Sequence, residues 1–405
     1  MKCLRFFRPS PAAVLPSLAA LLALLTLAIS GCGGVDSGGT GQTVDPAVPT
    51  TSSGRLSGFG SVIVNDIRFD DDQAQVVDDD GVVRTRADLR LGMVVDVQGT
   101  VRGNSGTGVA NRIQFGNEIA GRVEAVDVAN KRLVVLGQTV QSDVDTLFSG
   151  YPTGLADVQA GHLVEVNAFY DTASGIYTAT RIERKVTLAQ FKLRGRIANL
   201  AALPARTFTI GAAVIDYSSA APSPPPPPPP LANGLLVRVT LNTTPVAGRW
   251  VATAVQTSQR NLPENIDARV EGYVSGFTSP ASFRVAGLQV DASSPGVRLR
   301  HGVLGDLADG VRVEVKGAVH GGVLIANELD FKRGGQQQFE LHGQVESVDV
   351  NTQTFVLRGV TVSWDGSTRF QAGNVNRLVA GARVDVRGAP TGGVRILAES
   401  VRFEP

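Results

Sequence analysis

Residues 91–99 read "LGMVVDVQG", and nearly the same nine residues return four more times. The returns are "AGHLVEVNA" (160–168), "NGLLVRVTL" (233–241), "DGVRVEVKG" (309–317) and "AGARVDVRG" (380–388). Apolar and polar residues alternate, with valine at most apolar places, which predicts half-buried β-strands rather than helices. Val311, Val313 and Val315 show the pattern most plainly, with Arg312, Glu314 and Lys316 expected to face outward. An opening stretch precedes each nonamer and carries a glycine, aligned as Gly58, Gly121, Gly195, Gly272 and Gly343, at spacings of 63, 74, 77 and 71. A strand led by alanine follows each: "ANRIQF", "ATRIER", "ATAVQT", "ANELDF" and "AESVRF", from Ala110, Ala179, Ala252, Ala326 and Ala398. One unit is therefore written five times.

Copy two displays the unit best, with strands expected at 121–128, 132–136, 138–142, 162–169 and 177–183 and a short helical connection between the third and fourth. That is the strand order of an OB-fold barrel, and closing the sheet removes the edges that a tandem array would otherwise expose. An immunoglobulin-like sandwich takes about 100 residues, more than these copies have. The fold class expected is all-β: five tandem, small, five-stranded OB-like barrels at 54–117, 118–186, 187–262, 263–335 and 336–405. "GFGSVIVNDIRFD" (58–70) with "LRLGMVVDVQG" (89–99) resembles the bacterial envelope family called domain of unknown function 5666. The first copy carries that resemblance best and the third departs from it most. It implies an OB-like fold and an envelope address behind a lipoprotein signal, and it implies no mechanism.

The N-terminus supplies the address. Lys2, Arg5 and Arg8 precede the uncharged apolar run "LAALLALLTLAI" (18–29), the pattern of a signal peptide, here residues 1–31. "ISGC" (29–32) resembles the lipobox of bacterial lipoproteins, in which small residues admit the peptidase and the thiol of Cys32 receives the lipid. The resemblance implies multiple acyl chains, enough for stable anchoring where one chain is marginal. Gly33 at the next position points to the outer membrane of a Gram-negative bacterium. Residues 32–53, rich in Gly, Ser, Thr and Pro, are expected to be a disordered tether reaching about 25 Å as a coil. Cys3 leaves with the signal, so Cys32 is the only cysteine of the mature chain, and neither a disulfide nor a thiolate metal site is expected. Losing Lys2, Arg5 and Arg8 takes 38 basic residues to 35, against 37 acidic, so no electrostatic footprint for nucleic acid remains.

Candidate chemistry is sparse. Asp70, Asp71 and Asp72, with Asp78, Asp79 and Asp80 before Gly81, read as turns and solvated loop, with a weak Ca²⁺ site as the sharper reading. His162, His301, His320 and His342 stand at unrelated positions and are expected in surface or packing roles. Trp250 and Trp364 are expected to pack at barrel ends, and the pairs Gly321-Gly322 and Gly392-Gly393 to turn hairpins. Pro224 to Pro230 form a stiff insertion in copy three. No catalytic residue, cofactor or metal is assigned. Duplication without a conspicuous site favours reach: an anchored rod of barrels that spaces, scaffolds or binds an envelope protein or polysaccharide multivalently. The alternative is a discrete module for a glycan, a peptide or Ca²⁺.

Overall fold

In every copy the fifth residue of the nonamer lies opposite a glycine of the opening strand. The pairs are Val95 with Gly54, Val164 with Gly121, Val237 with Gly195, Val313 with Gly272 and Val384 with Gly343. The computed structural model describes residues 46–404 apart from 104–105, 202–203, 221–229, 259–261, 336, 392 and 394. The signal segment, Cys32 and Pro224 to Pro229 lie outside the described residues. Within them all regular structure is β-strand except for four 3-10 turns, which stand at the short connections of copies one, two, four and five.

The strands of copy two are Ile119–Asp127, Arg132–Val135, Gln138–Gln141, Leu163–Asp171 and Ile176–Lys185. The first pairs antiparallel with the second and the second with the third, and the third runs parallel to the closing strand. The closing strand pairs antiparallel with the fourth, and the fourth returns to the first. The same ring of pairings recurs in copy one, copy three, copy four and copy five. An unforeseen short strand, Leu147–Ser149 in copy two, lies parallel to the closing strand in the connection before the fourth.

The repeated wording now has a physical cause. Valines at the fifth and seventh places of the nonamer are buried in all five copies, worth about 1.5–3 kcal/mol each relative to exposure. The ninth place faces the alanine that leads the closing strand, and there the closing strand carries one extra residue, a β-bulge, in every copy. At Gly99 and Gly317 a Cβ would stand 2.0 Å from a partner carbonyl oxygen, which accounts for glycine there. Copies two and three keep the bulge with Ala168 and Leu241.

Three expectations need correction. The opening glycine of copy one is Gly54, not Gly58, because Gly54 is the residue that faces Val95; its Cβ would meet Asn65 Oδ1 at 2.2 Å. The tether does not extend to residue 53. The first strand is Ala47–Phe59, and its half from Ala47 to Ser53 pairs with the fourth strand of copy one on one side. On the other side Thr50 to Ser53 run parallel to Asp267 to Val270 of copy four. Small side chains that looked like linker, Ser52 and Ser53, are buried between these two strands.

Nor is the array a rod. Residues 44–405 form one compact unit, and copy one bonds to all four others. Beyond its seam with copy four, Gly58 and Phe59 pair with Glu340 and Leu341 of copy five. Copy two reaches it through Asn167, which accepts from Val94 N–H at 3.3 Å, and copy three through Arg238 on Asp79. Copies two and three share a continuous apolar core, and copy five's core takes in Leu91 of copy one and Leu147 of copy two.

Candidate functional site

The sixth residue of the nonamer decides how copies meet. It is acidic in four copies (Asp96, Glu165, Glu314 and Asp385) and Arg238 in the third. Opposite it on the opening strand stand Ser53, Ala120, Glu271, His342 and, in copy three, Arg194. Copy three therefore sets two arginines side by side and copy four two glutamates, pairs that repel unless compensated. Contrary to expectation, Arg312 and Glu314 do not face solvent; both side chains are only 10% exposed.

Copy three is compensated from outside. Asp79, in the "DDDG" turn of copy one, places Oδ2 2.5 Å from Arg238 Nη1 and Oδ1 3.2 Å from Lys192 Nζ. Its backbone carbonyl accepts from Arg238 Nη2 at 2.6 Å. Asp80 pairs with Lys192 and, at 3.0 Å, with Arg238. Glu118 of copy two accepts from Arg194 Nη1 at 2.8 Å. Burial pushes the Asp80 carboxyl up, but Lys192 and Arg238 outweigh it and hold it below the ordinary 3.8. Asp78 Oδ1 accepts from the N–H groups of Asp80 and Val82, and Oδ2 is 2.6 Å from Arg84. The three aspartates lie close enough to share an ion, yet each carboxylate is engaged by protein donors. Asp71 and Asp72 meet Arg86 at 3.6 and 2.5 Å, and Asp72 N–H donates to Asp70.

Copy four is compensated mainly from within. Arg312 Nη2 donates to Glu271 Oε1 at 2.6 Å, and Lys332 Nζ stands 2.8 Å from Glu314 and 3.0 Å from Asp330. Burial raises Glu271, but Arg312 and Arg55 bring it below the ordinary 4.5. For Glu314 burial prevails over Lys332, and its carboxyl stays above 4.5. Where copies one to four meet, a half-open cavity of about 380 Å³ is lined by Asp79, Glu118, Arg194 and Arg238, with Tyr170 and Tyr273 among its other walls. Tyr273 Oη lies 2.8 Å from Thr178 Oγ1, joining copy four to copy two.

Segments 120–183, 271–330 and 342–402 match the domain of unknown function DUF5666. These three segments are similar to that domain, as tandem repeats of it would be. They coincide with copies two, four and five; the first copy, whose residues carried the resemblance, is not among the matched segments. No curated protein matches the chain.

Copies two to five hold the remaining candidates. His162 accepts from Gln159 N–H at 3.2 Å and stacks on Tyr151, while His301 lies 2.6 Å from Asp330. Gly321 and Gly322 turn the hairpin before the closing strand of copy four, and both N–H groups donate to Glu264. Trp364 is buried against Phe355; Trp250, in copy three, leans on Phe191. In copy five the Nδ1 atom of His342 faces Asp385 at 2.9 Å and Glu404 at 3.2 Å, a part-exposed trio that spacing along the chain could not reveal. The sequence reading also missed Lys192, Arg194 and Arg238 as partners of Asp79. One signal was on the page: Arg238 is the single basic residue at a place where the other copies have Asp or Glu.

Proposed function

We propose that the chain is a non-enzymatic scaffold or interaction lipoprotein of the cell envelope, anchored through Cys32, in which five OB-like barrels build one fixed body. The observation that carries this reading is the bonding of copy one to all four other copies. Repetition here supplies neighbours, so a partner meets a composite surface of several copies. The barrel reading rests on the ring order first, second, third, closing, fourth, first, with its one parallel step. A solenoid would stack its coils by continuous parallel pairing; among the described residues, parallel pairing between copies is confined to the two short seams of the first strand.

The test is in-cell cross-linking of the acylated protein, comparing wild type with Asp79→Ala. A dominant captured partner that disappears in the variant, while acylation persists, supports the composite scaffold; equal capture by both refutes it. Cys32→Ser is expected to abolish fatty-acid labelling. Neutron scattering of the full chain in contrast-matched detergent is expected to give a radius of gyration near 21 Å for the body, against about 42 Å for five units in line. The second reading, a glycan- or peptide-binding module, is favoured by the cavity shared by copies one to four; a saturable thermal shift with such a ligand would select it.

A further inference from the structure

Arg55 is buried, 2% exposed, on the first strand, and among the described residues its side chain makes one hydrogen bond, from Nη1 to the Asp145 carbonyl at 3.1 Å. Its Nε and Nη2 atoms have no partner, and no carboxylate of the described residues pairs with it. A guanidinium stays protonated at any accessible pH. A buried guanidinium with no carboxylate in contact is costly, the nearby Glu271 being already bonded to Arg312, so such a group calls for an explanation. Nε and Nη2 share one edge of the guanidinium, the edge of parallel N–H groups with which arginine grips a carboxylate or phosphate in bidentate fashion.

Arg55 borders a cavity of about 240 Å³ formed by copies one, two and four and by the segment leading into copy five. The buried acidic groups of this cavity are already engaged, and Asp66 adds an exposed carboxylate to its lining. Glu271 accepts from Arg312, and Glu314 and Asp330 from Lys332. Asp145 accepts from the N–H groups of Gly335 and Gln337 at 2.7 and 3.3 Å. A further orphan donor belongs to the same lining, Nε of Arg312. Among the described residues, the buried side-chain atoms of this cavity without a partner are all donors.

We propose that the Arg55 cavity is an anion site for a small carboxylate or phosphate group, held by the Nε and Nη2 edge of Arg55 with Nε of Arg312 alongside. An occupant there touches three copies at once, so binding tightens the assembly. The inference stands on this geometry and does not depend on the scaffold reading.

The test uses the full chain in detergent micelles, with inorganic phosphate and acetate as probes against chloride at matched ionic strength. Isothermal titration is expected to find one phosphate per chain, with a saturable rise in the thermal midpoint. Arg55→Gln is expected to weaken binding at least tenfold, and Arg55→Lys, which keeps the charge without the fork, to weaken it too. Acetate binding at the same site would assign carboxylates; phosphate binding alone would assign phosphate-bearing ligands. Absence of saturable binding of either anion to wild type overturns the site, whether or not the variants fold. Undiminished phosphate binding by a folded Arg55→Gln overturns it as well.

Discussion

Copies three and four solve one electrostatic problem in opposite ways. Each has like charges facing across its first and fourth strands, Arg194 with Arg238 in one and Glu271 with Glu314 in the other. Copy four carries its own remedy in Arg312 and Lys332. Copy three has none and borrows Asp79 from copy one and Glu118 from copy two. A self-compensated copy is free to sit anywhere in the chain; a borrowing copy is correct in one place only. The unbalanced pair therefore acts as an address within an array whose copies are otherwise alike, and the two copies should respond differently to perturbation.

Asp79→Ala is expected to show the largest effect, because it removes the buried carboxylate 2.5 Å from Arg238, leaving that arginine only the more exposed Asp80, and takes a partner from Lys192. A loss of about 3–5 kcal/mol is expected from breaking so buried a pair. Denaturant unfolding measures it, and a loss under about 1 kcal/mol would mean that copy three is not held by this cluster. Backbone fit gives the next contrast. Gly195→Ala puts a Cβ 2.3 Å from Ile210 Cγ2, while Gly272→Ala meets nothing nearer than 3.1 Å. Overpacking of about 1–3 kcal/mol is expected in copy three and less in copy four; equal costs would contradict the tighter fit. Tyr273→Phe removes the hydroxyl that ties copy four to copy two, with an expected loss of about 0.5–1.5 kcal/mol. Faster hydrogen exchange confined to that seam would be its signature.

The subtlest expected difference is in pH. Glu271 and Asp80 lie below their ordinary values of 4.5 and 3.8, so their stabilisation is present above those values and is lost as pH falls through the depressed ones. Glu314 lies above 4.5 and has the opposite sign, since its protonation on acidification favours the folded state. Copy four thus carries opposing contributions and copy three does not. Hydrogen exchange from pH 6 toward acid is expected to loosen the copy-three seam sooner than the body of copy four. The reverse order would break the comparison.

Much of a single copy was legible in the sequence. Valine alternation, the alanine-led strand and the glycines mark its five strands, because one face of each strand must reach that copy's own core. What lay between copies was not legible. Lys192, Arg194 and Arg238 meet Asp79 across more than a hundred residues of chain. "Outward" for Arg312 and Glu314 meant toward a neighbouring copy rather than toward water. Ser52 and Ser53 read as linker because small polar residues suit both a tether and a strand squeezed from both sides. The Asp78-Asp79-Asp80 turn was read as a turn from its glycine, while its role as a clamp depended on where copy three sits.

The first strand also sets how the body bears load. A pull at residue 46 runs along the strand that follows it. From Ala47 to Ser53 that strand pairs with the fourth strand of copy one, and over Thr50 to Ser53 with copy four as well. Tension in this direction shears the ladder, so its hydrogen bonds resist together instead of opening one at a time like a zipper. A tether leaving from this end would therefore pull on the most securely bonded strand of the molecule.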